Sequence, residues 1–183
     1  MNRKLKVTEM GRLSPDEYAA EKKVQLIVGL DNIRSGNNVG SVFRTADASR
    51  LEKVLLGGIS AQPPHRDILK TALGADKTVS WEYHENMVEL LKKYQDEGWK
   101  IAIVEQMESS TMLQDWKASD DKWIVVVGNE VKGVSDEVCA LGNVFLEIPQ
   151  FGTKHSLNVS VCTGMVVWEF MRQTGLSQLN MDS

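Results

Sequence analysis

The α/β character of this chain is clearest in QLIVGLDNIRSGNNVGSVFRTADASRLEKVLLGGI, residues 25–59. Its start, QLIVGLDNI (25–33), is a short apolar run rich in β-branched residues, which predicts a buried strand. Four apolar residues then recur at the spacing of one helix face: Val39, Val42, Phe43 and Ala46. Residues 53–59 predict a second strand. A strand, a helix and a strand in succession favour a parallel pair with a helix packed across it.

The same alternation continues to the end of the chain. Further strands are predicted near 78–83 and at 100–104, 123–128 and 144–148, and further helices at 66–74, 85–98, 135–141 and about 156–172. Gly74 is expected to end the helix that begins at residue 66, and residues 107–121 are expected to form an irregular surface loop. The predicted fold is a mainly parallel sheet with helices on both faces.

The division of the chain follows from the same pattern. Residues 1–23 form a charged lead in which Ser14 caps a short helix that starts at Pro15. Residues 24–173 are expected to form one domain, and residues 174–183 a short tail.

Composition limits the class of protein. The chain has 183 residues, of which 42% are hydrophobic and 25% charged, as in ordinary globular domains. No apolar run approaches the roughly 20 residues of a membrane span, and the start is too polar for a signal peptide. Two cysteines without a CxxC pair and three histidines make a metal site or a disulfide framework unexpected. A cytoplasmic protein is expected.

Because the net charge is −4, a nucleic acid partner needs a local basic patch, or one shared between subunits.

Polar clusters follow three of the predicted strands, where parallel sheets bind ligands. In residues 31–48, glycines and a helix start suit an anion, although the asparagines there could simply cap the helix. A dinucleotide fold is a weaker alternative because G-x-G-x-x-G is absent.

The other two clusters are equally open when taken alone. Glu130 lies between Gly128 and Gly133, where a carboxylate could bind a ligand or pair with a basic neighbour. Ser156 and Asn158 flank Leu157 near a predicted helix start, so both could be capping residues.

Taken together, the three clusters resemble the motifs of the SpoU (TrmH-type) 2′-O-ribose RNA methyltransferases of the SPOUT superfamily. NVGSVFRTAD (38–47) is similar to the first motif, GNEVKGV (128–134) to the second and IPQFGTKHSLNVSV (148–161) to the third. The one departure is Gln150, where the family more often has methionine. The resemblance extends over about residues 24–172.

This resemblance implies an S-adenosylmethionine-dependent enzyme that methylates a ribose 2′-hydroxyl of tRNA or rRNA. It also implies a C-terminal trefoil knot and a homodimer with its site near the interface. By position it assigns the donor site to Gly128, Ile148, Gln150 and Leu157, mainly through the backbone. It assigns the catalytic site to Arg44, Asn38, Glu130, Ser156 and Asn158.

The role of Arg44 and the RNA contacts stay open at this level. Arg44 could act as a general base, or as a charged clamp that holds phosphate and a developing alkoxide. The basic residues expected to contact RNA are Arg34, Arg66, Lys132 and Lys154, and each could equally be a solvated surface charge. The competing functions are a non-catalytic RNA-binding or assembly protein on the same fold and a nucleotide-dependent oxidoreductase.

Overall fold

A seven-stranded sheet forms the centre of the protein in a computed structural model, which describes residues 2–119 and 121–179. Its strands are β1 Val24–Asp31, β2 Leu51–Gly57, β3 Trp81–His84, β4 Lys100–Val104, β5 Thr111–Met112, β6 Trp123–Gly128 and β7 Val144–Glu147. The strand order is β3-β2-β1-β6-β4-β7-β5, and each neighbouring pair is parallel. The predicted parallel α/β fold is confirmed.

Helices cover both faces of this sheet. They are α1 Pro15–Ala20, α2 Gly36–Ala48, α3 Arg66–Ala72, α4 Ala75–Thr78, α5 Met87–Asp96, α6 Asp136–Cys139, α7 Val159–Phe170 and α8 Leu176–Gln178. Short 3-10 turns lie at Val7–Glu9 and Leu113–Asp115. Alternate side chains of the central strands enter two apolar cores, one with α2, α3 and α7 and the other with α5 and α6. Both faces of a parallel sheet are thereby removed from water.

Several predicted boundaries need correction. The last long helix begins at Val159, not near Ser156, because the side chain of Asn158 caps it. It does not end at Arg172 but continues through a π-helical stretch, Met171–Gly175, into α8. Residues 180–183 of the predicted tail lie outside the described residues.

Two further differences concern short elements. The helix that starts at Arg66 ends at Ala72, because Leu73 and Gly74 both adopt positive φ before α4 begins. Within the expected loop at 107–121, β5 adds an edge strand of two residues beside β7. Two residues are too few to show a hydrophobic period.

The path of the chain after β7 brings distant segments together. β7 pairs with β4, on the side away from β6 and β1. The chain then returns so that α7 packs against α2 and β6. Residues 148–158 therefore cross the carboxyl ends of the central strands, and the trefoil knot expected from the resemblance is implied by this fold.

No helix within residues 2–119 and 121–179 has both the length and the apolar character that a membrane span requires.

Candidate functional site

Three side chains from the three motifs form one hydrogen-bonded cluster. The Asn38 Nδ2 donates to Oε1 of Glu130 at 2.9 Å, and the Asn158 Nδ2 donates to Oδ1 of Asn38 at 3.1 Å. The cluster joins residues separated by 92 and by 120 positions in the chain. We call Asn38, Glu130 and Asn158 the amide–carboxylate cluster.

Helix starts place the two asparagines. Ser35, and not an asparagine, caps α2, and its Oγ accepts from the main-chain N–H of Asn38 at 3.3 Å. Asn158 does cap α7, since its Oδ1 accepts from the N–H of Ser160 at 3.0 Å and from that of Val161. Its Nδ2 remains available for Asn38. Capping and participation in the cluster are therefore combined in one side chain.

A tight turn carries Glu130. The main chains of Asn129 and Gly133 exchange two hydrogen bonds of 2.9 Å, and Gly133 has a φ of 71°. The Asn129 side chain accepts from the N–H of Val131 at 3.0 Å and donates to the carbonyl oxygen of Asn32 at 2.8 Å. The turn is thus tied to the end of β1, which precedes the segment of Asn38.

Asp31 supports the same turn from below. This carboxylate is only 1% exposed, and its Oδ2 accepts from both the N–H and the hydroxyl of Ser135 at 2.8 Å. Asn32 donates to Oδ1 at 2.8 Å. Ser135 therefore binds Asp31 and makes no side-chain cap on α6, which begins at Asp136. Asp31 is not among the site residues predicted from the sequence, although an acidic residue at the end of a buried strand could have indicated it.

A pocket of about 300 Å³ opens at the carboxyl ends of β4, β6 and β7, and we call it the edge pocket. All four residues predicted for the donor site line it: Gly128, Ile148, Gln150 and Leu157. Glu130 and Ser156 line it as well. The apolar part of its wall comes from Val104, Val127, Leu146 and Val159.

The charge of this lining is one-sided. Glu105, Glu130 and Glu147 line the edge pocket, and no lysine or arginine does so among the described residues. Burial, and then the carboxylate of Glu105, raise the pKa of the Cys162 thiol in the same wall to about 11. A cationic ligand with an apolar body fits this lining, whereas the pyrophosphate of a dinucleotide would meet three carboxylates and no lysine or arginine among the described residues.

A second hollow, of about 980 Å³, adjoins the edge pocket on the side of α2 and is called the basic hollow here. Both share a wall made by Asn129, Glu130, Val131 and Gly133. The basic hollow is also lined by Asn38 and by two of the predicted RNA contacts, Arg34 and Lys132. Within the amide–carboxylate cluster, Glu130 thus lies in the wall shared by an acidic pocket and a basic hollow, Asn38 lines the basic hollow, and Asn158 lines neither.

The other predicted site residues lie elsewhere. Arg44 is exposed on α2 and borders a different hollow with Lys70 and Thr71 of α3. Arg66 and Lys154 are exposed and line neither the edge pocket nor the basic hollow. Within the described part of the chain, no group of three histidine, cysteine, aspartate or glutamate side chains is placed to hold a metal ion.

Comparison with known proteins extends this picture. Residues 25–168 match the model of the SpoU rRNA Methylase family. A tRNA (guanosine(18)-2′-O)-methyltransferase from Aquifex aeolicus is 29% identical over 163 residues, which cover 86% of this chain and 74% of that protein. A 23S rRNA (guanosine-2′-O-)-methyltransferase from Pseudomonas aeruginosa is 28% identical over 151 residues, which cover 82% of this chain and 60% of that protein.

Solved structures show the same fold. The crystal structure of an A. aeolicus TrmH/SpoU tRNA modifying enzyme has a TM-score of 0.78 at 28% identity and covers 90% of this chain and 82% of that chain. An AdoMet-bound rRNA methyltransferase from Sinorhizobium meliloti has a TM-score of 0.77 at 23% identity, over 89% of this chain and 62% of that chain.

Proposed function

Since this chain belongs to the SpoU rRNA methylase family, we propose that it transfers a methyl group from S-adenosylmethionine to a ribose 2′-hydroxyl of RNA. The observation that carries the proposal is the shared wall at Glu130, where an acidic pocket meets a basic hollow. A cationic donor and an anionic acceptor need such a pair of neighbouring sites. The substrate class is tRNA or rRNA, since the similar enzymes act on both by name.

The edge pocket is the proposed donor site. S-adenosylmethionine supplies an electrophilic methyl group on a positively charged sulfur. The apolar wall at Val127, Leu146 and Ile148 suits the adenosine, and the main chain of Gly128, Ile148 and Leu157 offers groups for its polar edge. Gln150 and Ser156 also line the pocket.

The basic hollow is the proposed acceptor site. Arg34 and Lys132 place cations where the RNA phosphates would lie, and this electrostatic contact makes binding dependent on salt. Glu130 can accept a hydrogen bond from the ribose 2′-hydroxyl, and the Asn38 amide holds that carboxylate in place. The chain therefore supplies alignment, which is the main requirement of an in-line transfer from an activated donor.

We also propose that the chain forms a homodimer and that each site uses a residue of both subunits. Three apolar side chains form an exposed stripe on α7, Val161, Met165 and Trp168, and they are 54%, 44% and 62% exposed. Arg44 and Trp168 border one hollow beneath the N-terminal lead, so Arg44 lies on the same side of the molecule as the stripe. In a two-fold dimer built on the stripe, Arg44 would act in the site of the partner subunit as a base or clamp. We place this dimer in the cytoplasm.

Two measurements test the proposed activity. Calorimetry should detect binding of S-adenosylmethionine and S-adenosylhomocysteine but not of NAD. In a strain without the protein, a map of ribose methylation in total RNA should lack the methyl group at one or more nucleotides. RNA binding without uptake of either sulfur ligand would instead favour the non-catalytic alternative. Stabilisation by NAD alone would favour an oxidoreductase.

Mixing two inactive variants tests the shared site. Arg44→Ala and Glu130→Ala chains, each inactive alone, should regain part of the activity when mixed, because one site of a mixed dimer then contains both intact side chains. No recovery in a verified mixed dimer would place both residues in the site of a single subunit.

A further inference from the structure

The two sulfur ligands of the proposed reaction, S-adenosylmethionine and S-adenosylhomocysteine, differ in charge at the sulfur atom, and the charged lining of the edge pocket can distinguish them. When the S–C bond of the donor breaks, the electron pair stays on sulfur, so the sulfonium becomes a neutral thioether. The donor therefore carries one more positive charge than the product. Among residues 2–119 and 121–179, the lining of the edge pocket contains three carboxylates and no lysine or arginine. It therefore attracts the donor more strongly than the product. His155 is the only residue of this lining that could carry a positive charge.

Among these carboxylates, Glu105 is the one held by the main chain. It directly follows β4, and its Oε2 accepts from the N–H of Val134 at 3.0 Å while its Oε1 accepts from the N–H of Gln106 at 3.1 Å. A Cβ at position 133 would overlap with the same carboxylate, so Gly133 permits its close approach. The charge of Glu105 is therefore fixed in position before any ligand arrives.

The other two carboxylates have different partners. Glu130 accepts from the Asn38 amide in the amide–carboxylate cluster, and Glu147 accepts from the Ser110 hydroxyl at 2.9 Å. Glu105 also acts across the pocket, since its charge contributes to the raised pKa of Cys162 on α7. Glu105 lies outside all three sequence motifs, so no motif predicts a role for it.

We propose that Glu105 is a specificity-determining residue that makes the edge pocket prefer the sulfonium donor over the thioether product. The proposal rests on the proposed function, because it takes the edge pocket as the donor site. Its consequence is that the product, once formed, loses one favourable charge interaction and dissociates more readily than the donor.

Calorimetry on the full chain tests this preference. Glu105→Gln removes the charge but keeps an oxygen that can accept from the Val134 N–H. We expect it to raise the Kd of S-adenosylmethionine about three- to tenfold, the size expected for one charge across several ångströms of partly hydrated protein, and to change the Kd of S-adenosylhomocysteine less than about twofold. Glu108→Gln is the matched control, because Glu108 is exposed nearby in the same loop and does not line the pocket.

Other outcomes separate the two proposals. An equal change in both dissociation constants, or no change in either, would overturn the role of Glu105 while leaving the donor site intact. If the wild-type chain bound neither ligand, the proposed function itself would fail. Glu105→Asp should keep the preference, since it keeps the charge.

One readout needs no variant. In the wild-type chain, added salt should weaken binding of the donor more than binding of the product. Salt screens the attraction between the sulfonium and the carboxylates, and the product lacks the sulfonium. Equal salt dependence of the two ligands would contradict the proposal even if Glu105→Gln failed to fold.

Discussion

At the scale of single residues, the amides of Asn38 and Asn158 do most to assemble the site. Each uses both ends of its side chain: Asn38 joins Glu130 to Asn158, and Asn158 joins Asn38 to the start of α7. An amide offers a donor and an acceptor at fixed separation, which neither a carboxylate nor an ammonium group can do. Asparagine is thus suited to link motifs that carry different partners.

Asn38→Ala tests this linkage. It removes the side chain that links Glu130 with Asn158, so we expect methyl transfer to fall about 100-fold through loss of alignment. The free energy of unfolding should change by less than about 1 kcal/mol, because Glu130 and Asn158 are exposed and can bind water. Radiolabelled methyl incorporation and chemical denaturation measure the two effects. The neighbouring exposed Asn37 serves as the control, and Asn37→Ala should leave both values near wild type.

Arg44→Lys addresses the second residue at this scale. Both roles considered for Arg44 depend on its planar guanidino group, which would be neutral as a base and charged as a clamp. We therefore expect turnover to fall about 100-fold or more although lysine keeps a positive charge. Steady-state methylation of total RNA from a deletion strain would measure it. Arg172→Lys provides a matched substitution at an arginine that pairs with Glu169 outside the site. Near-normal turnover of Arg44→Lys would exclude both roles.

At the scale of elements, register and capping decide what faces the site. Asp31 of β1 lies opposite Gly128 of β6, so the ends of these strands reach the same level of the sheet edge. Ser35 and Asn158 then start α2 and α7 at that edge. Capping also fixes the start of α1 in the N-terminal lead, away from the site, where Ser14 and Glu17 form a reciprocal capping box.

The single buried side chain of α1 gives a prediction about pH. Tyr18 is 6% exposed, its hydroxyl has no hydrogen-bond partner among the described residues, and burial, followed by the charge of Asp47, raises its pKa to about 12. An unfolded tyrosine titrates near pH 10. Above about pH 10 the unfolded chain therefore releases a proton that the folded chain keeps, so stability present below that pH is lost as pH rises toward about 12.

Tyr18→Phe should remove this part of the pH dependence. We expect the wild-type chain to lose up to about 2 kcal/mol more than the variant between about pH 9 and pH 12, as measured by urea unfolding. At neutral pH the variant should be as stable as the wild type or slightly more stable, because a buried hydroxyl without a partner is costly. Parallel curves for the two proteins across this range would contradict the assignment.

At the scale of the whole molecule, α7 connects the site with an uncovered surface. Val166, Val167 and Phe170 face the core, whereas Val161, Met165 and Trp168 face outward. An apolar helix with one face in the core and the other exposed indicates a protein interface. Because Asn158 caps the same helix, an interface on α7 would connect directly to the site.

Trp168→Glu tests the proposed dimer. A carboxylate at the most exposed position of the stripe would be buried without a partner in the dimer, so we expect the variant to sediment as a monomer where the wild-type chain sediments as a dimer. Methyl transfer should fall with dissociation if the site uses both subunits. Lys92→Glu adds the same side chain at an exposed position of α5, across the sheet from α7, and should leave the dimer intact. A wild-type monomer, or a dimeric Trp168→Glu chain, would refute the interface.

Much of this architecture could be predicted from local pattern. Periodicity and side-chain chemistry within a few residues predict the apolar runs of β1, β4 and β6, the Ser14 cap and the buried face of α5, which is formed by Met87, Leu90, Leu91 and Tyr94. The three motifs also pointed to Asn38, Glu130 and Asn158 without any coordinates. The two-residue strand β5 was missed because its pairing with β7 joins residues distant in the chain. The start of α7 was placed too early because Ser156 and Asn158 are both favourable capping residues, and Asn158 is the one that caps the helix.

The contacts across motifs depended on the tertiary structure. The register of the parallel strands and the crossing of residues 148–158 bring these partners together. The resulting hydrogen bonds join Asn38 to Glu130 and Asn158, Ser135 to Asp31, and Glu105 to Val134. Local pattern records which face of a strand or helix is apolar, but it holds no information on which of several polar loops will meet. Those meetings are fixed only when the sheet sets strand order and aligns the carboxyl ends at one edge.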